Sequence, residues 1–196
     1  MTHALPLFPL HAVLLPGQAL DLRIFEARYL DMVRECGRSG GSFGITLIID
    51  GSEVGQPATS AAYGTEAVIE DFGTTAEGLL SLRVRGQRRF RVLRTRVRDN
   101  GLVMGEVEWL QAAEEARVRP EHALLSELLR RILVQIGGEH ADADPCLLDD
   151  AQWLGWRLGE LLPLAPAQRQ LLLQTADPHQ RLQQLLEGLD DQGDGG

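Results

Sequence analysis

The sequence contains no lysine; all 19 basic side chains are arginine. Arginine keeps its proton in a protein and is a poor general base. Without lysine the chain cannot form a Ser-Lys dyad, a Schiff-base enzyme or the phosphate-binding lysine of a P-loop. Cysteine is scarce. Cys36 and Cys146 lie far apart, which suits free thiols in a reducing compartment better than a disulfide framework. Long apolar runs are also missing. The N-terminal stretch "ALPLFPLHAVLLP" lacks a basic flank and is interrupted by Pro6, Pro9 and Pro16. It is too short and too broken for a signal peptide or a membrane span, so a cytoplasmic protein with no membrane contact is expected.

What is present is an ordinary globular composition of 196 residues. A chain of this size buries roughly 70 % of its unfolded surface and needs no disulfide or metal to hold a core. Charge is uneven. Residues 1–111 carry 12 Arg against 13 acids, whereas residues 112–196 carry 7 Arg against 15 acids. The acidic second half disfavours general affinity for nucleic acid or anionic membranes.

The first part reads as β structure with one helix. The runs "FGITLII", "TEAVIEDF", "LLSLRVR", "RFRVLRTRV" and "LVMGEVEWL" are separated by the turn signals "DGS", "TTAEG", "RGQ" and "DNG". Many short strands with close turns favour a barrel or sandwich. One helix is expected from Glu26 to Cys36, ending near Gly37. The second part reads as helices. "PEHALLSELLRRILVQI" starts at Pro120 and stops at Gly137-Gly138, with Leu124, Leu125, Leu128, Leu129, Ile132, Leu133 and Ile136 on one face. "DDAQWLGWRLGELL", "PAQRQLLLQT" and "DPHQRLQQLLEGL" follow, the last with Asp177 as N-cap and Pro178 at the first helical position. The predicted organisation is a β-barrel domain over residues 1–113, a helical bundle over 114–190 and a disordered tail over 191–196.

Few motifs carry chemistry. "GRSGG" and "GGSFG" match G-x-S-x-G around Ser39 and Ser42, but a nucleophile elbow needs a strand before the serine and a helix after it, and here the order is reversed. His140, Asp142, Asp144 and Cys146 alternate in "HADADPC" without zinc or EF-hand spacing, so a solvated loop is the better reading. No metal or cofactor is expected. Segment 83–98 holds eight Arg and no acid. On a strand, Arg94, Arg96 and Arg98 share a face, with Leu93 and Val97 on the other. This face either meets acids on neighbouring strands or contacts RNA; only Phe90 supplies an aromatic ring for stacking. Beyond it, "RTRVRDNGLVMGEVE" predicts a hairpin with the three-residue loop Asp99-Asn100-Gly101. That register pairs Val97 with Val103, Leu93 with Val107 and Arg94 with Glu106.

The stretch "LRIFEARYLDMVREC" changes from strand to helix and places Phe25, Glu26, Arg28 and Tyr29 at the switch. Glu26 has no second carboxylate or histidine in its pattern, which makes it a weak general acid. Burial would require Glu26 and Arg28 to pair. These residues predict a corner locking a helix onto the β unit, with Phe25 in the core.

Successive motifs resemble one known family. "LPLFPL" (5–10), "VLLPG" (13–17), "LDLRIFEARYLDMV" (20–33), "FGI" (43–45) and "GQRRFRV" (86–92) are similar to motifs of the N-terminal substrate-binding domain of Lon protease. The stretch from "WLGWRLGELL" to "LQQLL" is similar to that domain's helical region. The resemblance implies a PUA-like β-barrel followed by a helical bundle. It also implies recognition of unfolded or damaged polypeptides, which full-length Lon performs ahead of an ATPase module and a Ser-Lys peptidase. This sequence ends after the helices and has no Walker A motif, so neither catalytic activity is expected. The resemblance marks Phe25, Glu26, Arg28, Tyr29, Arg89 and Phe90 as family-motif residues, and the residues themselves read as structural. Phe8, Leu14 and Leu15 are the expected polypeptide contacts. The implied partners are unfolded polypeptides and a separate protease or chaperone, with the chain monomeric or weakly self-associating. RNA binding through Arg94, Arg96 and Arg98 is the competing expectation.

Overall fold

The computed structural model describes residues 2–55, 58–137, 140 and 142–193. Contacts divide the chain into two compact units, Met1–Gln111 and Ala112–Gly196. In the first unit the elements run β1 (Thr2–Leu10), β2 (Ala19–Ile24), α1 (Ala27–Ser39), β3 (Phe43–Asp50), β4 (Thr59–Thr74), β5 (Leu80–Val97) and β6 (Val103–Trp109). The strands form one sheet in the order β2-β5-β4-β3-β1-β6, and β6 pairs again with β5. The β1–β3 pairing is parallel; the others are antiparallel.

Strand β5 organises this unit. The "RGQ" motif predicts a turn, but the strand runs through it without a break. Gly86 explains the difference. A Cβ there would lie 2.3 Å from Leu15 O, so only glycine lets the 13–17 segment lie against the strand. Gly17, at φ 78°, then forms a bulge: its N–H donates to Gly86 O at 2.8 Å, and Gly86 N–H donates to Gln18 O at 2.9 Å. Before Gly86, β5 pairs with β2; from Phe90 onward it pairs with β6. The β5–β6 hairpin has the three-residue loop, with Gly101 at φ 82° and Arg98 N–H donating to Leu102 O at 2.8 Å. Val97 pairs with Val103 and Arg94 with Glu106. Leu93 does not pair with Val107. A register shift between Val92 and Arg94 gives that place to Val92 and leaves Leu93 exposed.

The main core of the unit gathers Phe8, Leu22, Ile24, Tyr29, Met32, Phe43, Ile45, Leu82, Val84 and Met104. A smaller cluster holds Leu5, Leu7, Phe90 and Val107. Helix α1 continues past Gly37 to Ser39, and Gly40 closes it at φ 64°. A lone glycine costs a helix only about 1 kcal/mol, and Met32 and Cys36 keep the helix seated on the core.

The second unit contains α2 (Ala123–Ile136), α3 (Ala151–Leu161), α4 (Pro166–Gln174) and α5 (Pro178–Gly193). Pro120 opens a short 3-10 turn rather than α2 itself. Helix α2 buries the stripe Leu125, Leu129 and Leu133, while Leu124 and Ile136, expected on the same face, are exposed. Gly137 closes the helix; Gly138 lies outside the described residues. Asp150 Oδ1 caps α3 by accepting from Gln152 and Trp153 N–H. Asp177 Oδ1 accepts from His179 N–H at the start of α5. Arg181, fully buried, donates to Leu172 O and Thr175 O at the end of α4, with its guanidinium 3.5 Å from the Trp156 ring centre. Residues 191–193, expected in a disordered tail, continue α5; residues 194–196 lie outside the described residues. No described helix is long and apolar enough to cross a membrane.

Candidate functional site

The strand-to-helix corner forms around an ion pair. Arg28 Nη2 lies 3.0 Å from Glu26 Oε2, and Arg28 Nη1 donates to Gly101 O at 3.3 Å. The guanidinium is 4.7 Å from the Tyr29 ring centre, and the Tyr29 ring meets Phe8 edge-on at 4.3 Å. Burial raises the Tyr29 hydroxyl pKa, partly offset by the Arg28 charge. Arg28 thus ties α1 to the β5–β6 hairpin. Phe25 departs from the expectation. Strand alternation points Ile24 into the core and leaves Phe25 53 % exposed.

The expected polypeptide contacts are not at the surface. Phe8, Leu14 and Leu15 are all buried. Thr65 Oγ1 donates to Leu14 O at 2.6 Å, and Leu15 N–H donates to Gln18 Oε1 at 3.0 Å. The close approach allowed by Gly86 turns this loop inward.

Four of the eight arginines of segment 83–98 meet carboxylates within the unit. Arg83 meets Asp21 at 3.5 Å, Arg85 pairs with Glu70, Arg88 meets Glu66 at 2.8 Å and Arg98 meets Glu35 at 2.9 Å. Burial pushes the Glu66 carboxyl upward. Hydrogen bonds from Arg88 and Ser42, with the Arg88 charge, outweigh this and hold it below its ordinary value. Arg89 is buried, which lowers its guanidinium pKa. Phe90 is fully buried and meets Trp109 edge-on. Arg94 and Arg96 remain exposed beside a shallow depression formed with Thr2, His3 and Glu106.

The other motifs do not converge. Ser39 Oγ donates to Glu35 O at 2.9 Å, and Ser42 Oγ donates to Glu66 at 2.6 Å. His140 Nε2 lies 2.7 Å from Arg157 Nη1, while Asp144 accepts from Cys146 N–H at the start of a 3-10 turn. Among the described residues no three His, Cys, Asp or Glu side chains are placed to hold a metal.

One concave surface in the first unit is strongly apolar. It lies between α1 and the β4–β5 hairpin, has a volume of about 650 Å3 and is lined by Leu30, Val33, Val68, Ile69, Phe72 and Leu80. Phe72 is 74 % exposed and Val68 is 36 % exposed. Arg34 and Glu70 add charge to its lining. A register shift between Ile69 and Asp71 builds it. Ile69 pairs with Val84 and Phe72 with Leu82, so both apolar residues share a face. Simple alternation along "TEAVIEDF" would place them on opposite faces, so nothing in the sequence pattern marks this groove. Its chemistry suits apolar side chains; Cys36 also lines it, with its thiol pushed up by burial and directed at Ser42 O.

The sequence model of the substrate-binding domain of ATP-dependent protease La (LON) matches residues 4–191. The chain belongs to this family. A crystal structure of a Lon N-terminal domain protein from Xanthomonas campestris is 55 % identical, with a TM-score of 0.81, covering 94 % of this chain and 98 % of that one. The N-terminal domain of a Mycobacterium avium complex Lon protease shares the fold at 20 % identity and a TM-score of 0.68, covering 94 % and 97 %. No match is found among curated proteins. The mixed α+β fold, with its six-stranded sheet and five helices, is that of Lon N-terminal domains.

Proposed function

We propose that the protein is a non-catalytic polypeptide-binding or adaptor module in cytoplasmic protein quality control, contacting unfolded chains through the groove between α1 and the β4–β5 hairpin. The observation that carries this reading is an exposed apolar groove in a member of a substrate-binding family. Unfolded chains offer the apolar side chains that such a groove takes from water. The missing lysine removes the peptidase dyad and the nucleotide-binding lysine from this sequence. The pairing of Arg83, Arg85, Arg88 and Arg98 with carboxylates weighs against RNA as the ligand. The second pairing of β6 with β5 supports a PUA-like barrel for the first unit, and the two compact units support two domains, the second a helical bundle. The free thiols Cys36 and Cys146 fit a reducing compartment.

The test is NMR mapping with the intact protein. Reduced, carboxymethylated lactalbumin is expected to shift amide resonances of Leu30, Val33, Val68–Phe72 and Leu80–Leu82. Shifts confined to Arg94–Arg96 on adding a single-stranded RNA, with none from lactalbumin, would replace this reading with RNA binding.

A further inference from the structure

Strand β2 ends the sheet order and, among the described residues, pairs only with β5. The bulge at its start fixes its phase, because Gly86 N–H donates to Gln18 O. Antiparallel residues alternate between bonded and non-bonded positions. Leu20, Leu22 and Ile24 therefore turn their backbone groups toward β5, and Ala19, Asp21 and Arg23 turn theirs to the open edge. Beside this edge lies a cavity of about 340 Å3. Leu20 and Leu22 line it together with Phe25 and Val54, which are 53 % and 52 % exposed. Glu53 and Arg23 also line it, with Asp21 and Glu26, whose carboxylates already meet Arg83 at 3.5 Å and Arg28 at 3.0 Å.

We propose that the outer edge of β2 receives an extended polypeptide segment as an added strand, with an apolar side chain against Phe25 and a basic side chain toward Glu53. The inference rests on the polypeptide-binding reading and gives it a binding mode. Open N–H and C=O groups at alternate residues match an extended backbone, which rises about 3.3 Å per residue. The charged side chains of Asp21 and Arg23 discourage indiscriminate edge pairing without removing those backbone groups. The exposed Phe25 ring supplies side-chain selection that an edge alone lacks.

The test uses a fluorescein-labelled decapeptide alternating Val and Lys, with two versions N-methylated at alternate amides in opposite phases. One methylated phase should bind like the parent and the other about tenfold or more weaker, because only one peptide edge faces β2. Asp21→Pro removes an outward N–H and keeps the bonds to β5; it should weaken the parent peptide about tenfold at an unchanged melting temperature. Phe25→Ala, at an exposed position, should weaken it similarly and serves as the readout if the proline variant is unstable. Equal affinity of both methylated phases, with unfolded lactalbumin still bound, would overturn the added strand and leave the groove reading standing. Wild-type protein that binds neither probe would overturn both. A dimer abolished by Asp21→Pro would show that a second copy takes the edge, and would also overturn the proposal.

Discussion

Arg28 joins two elements distant in sequence: its guanidinium pairs with Glu26 at 3.0 Å and donates to Gly101 O, 73 residues away. With Arg28 6 % exposed, replacing it by alanine leaves Glu26 mostly shielded from water without its cation. Arg28→Ala is expected to destabilise by about 2–4 kcal/mol, and Glu26→Gln by less, since the amide oxygen still accepts. Denaturant midpoints check this, and an unchanged Arg28→Ala midpoint would contradict the lock.

Two glycines should respond with opposite signs. A Cβ at Gly64 would lie 2.4 Å from Ile45 O and 2.5 Å from Phe90 Cζ, whereas one at Gly37 meets nothing within 4 Å. Gly64→Ala should cost about 3 kcal/mol, since a backbone oxygen cannot swing aside. Gly37→Ala, inside α1, should gain about 0.5–1 kcal/mol. Thermal unfolding of the pair decides the matter, and equal shifts would refute the packing argument.

Glu66 predicts an acid-dependent loss of stability. Its folded pKa lies below the ordinary 4.5 because Arg88 and Ser42 hold the carboxylate. The unfolded chain therefore takes up the proton first. The contribution is complete above about 4.5 and disappears as pH falls through the lowered value. Glu66→Gln should flatten the stability profile below that pH and Ser42→Ala should flatten it partly, both measured by urea unfolding across the acid range. Parallel wild-type and variant profiles would argue against the linkage.

Phe25→Ala should alter stability by less than about 1 kcal/mol, because the ring is 53 % exposed. A loss of about 3–5 kcal/mol, the cost of emptying a core aromatic site, would return Phe25 to the interior.

The legible parts of the fold were those with local chemistry. Asp99-Asn100-Gly101 marked a turn because glycine takes positive φ, and Asp177 marked a helix start because its carboxylate accepts a backbone N–H group. The missed parts depended on contacts between distant residues. Gly86 looked like a turn because its sequence does not reveal that Leu15 O must approach it. Leu14 and Leu15 looked like a surface patch for the same reason. The register shifts at Val92–Arg94 and Ile69–Asp71 exposed Leu93 and built the apolar groove, and alternation alone foretells neither.

The most direct test of the polypeptide-binding claim is a fluorescence-anisotropy titration of labelled unfolded lactalbumin and labelled single-stranded RNA at low and moderately high salt. Binding to a shallow apolar groove should be micromolar or weaker, about 8 kcal/mol or less in magnitude. It should persist in salt and fall at least severalfold in Phe72→Ser, a change at a 74 % exposed position that leaves the fold intact. RNA binding that collapses with salt, together with polypeptide affinity absent or indifferent to Phe72→Ser, would contradict the account.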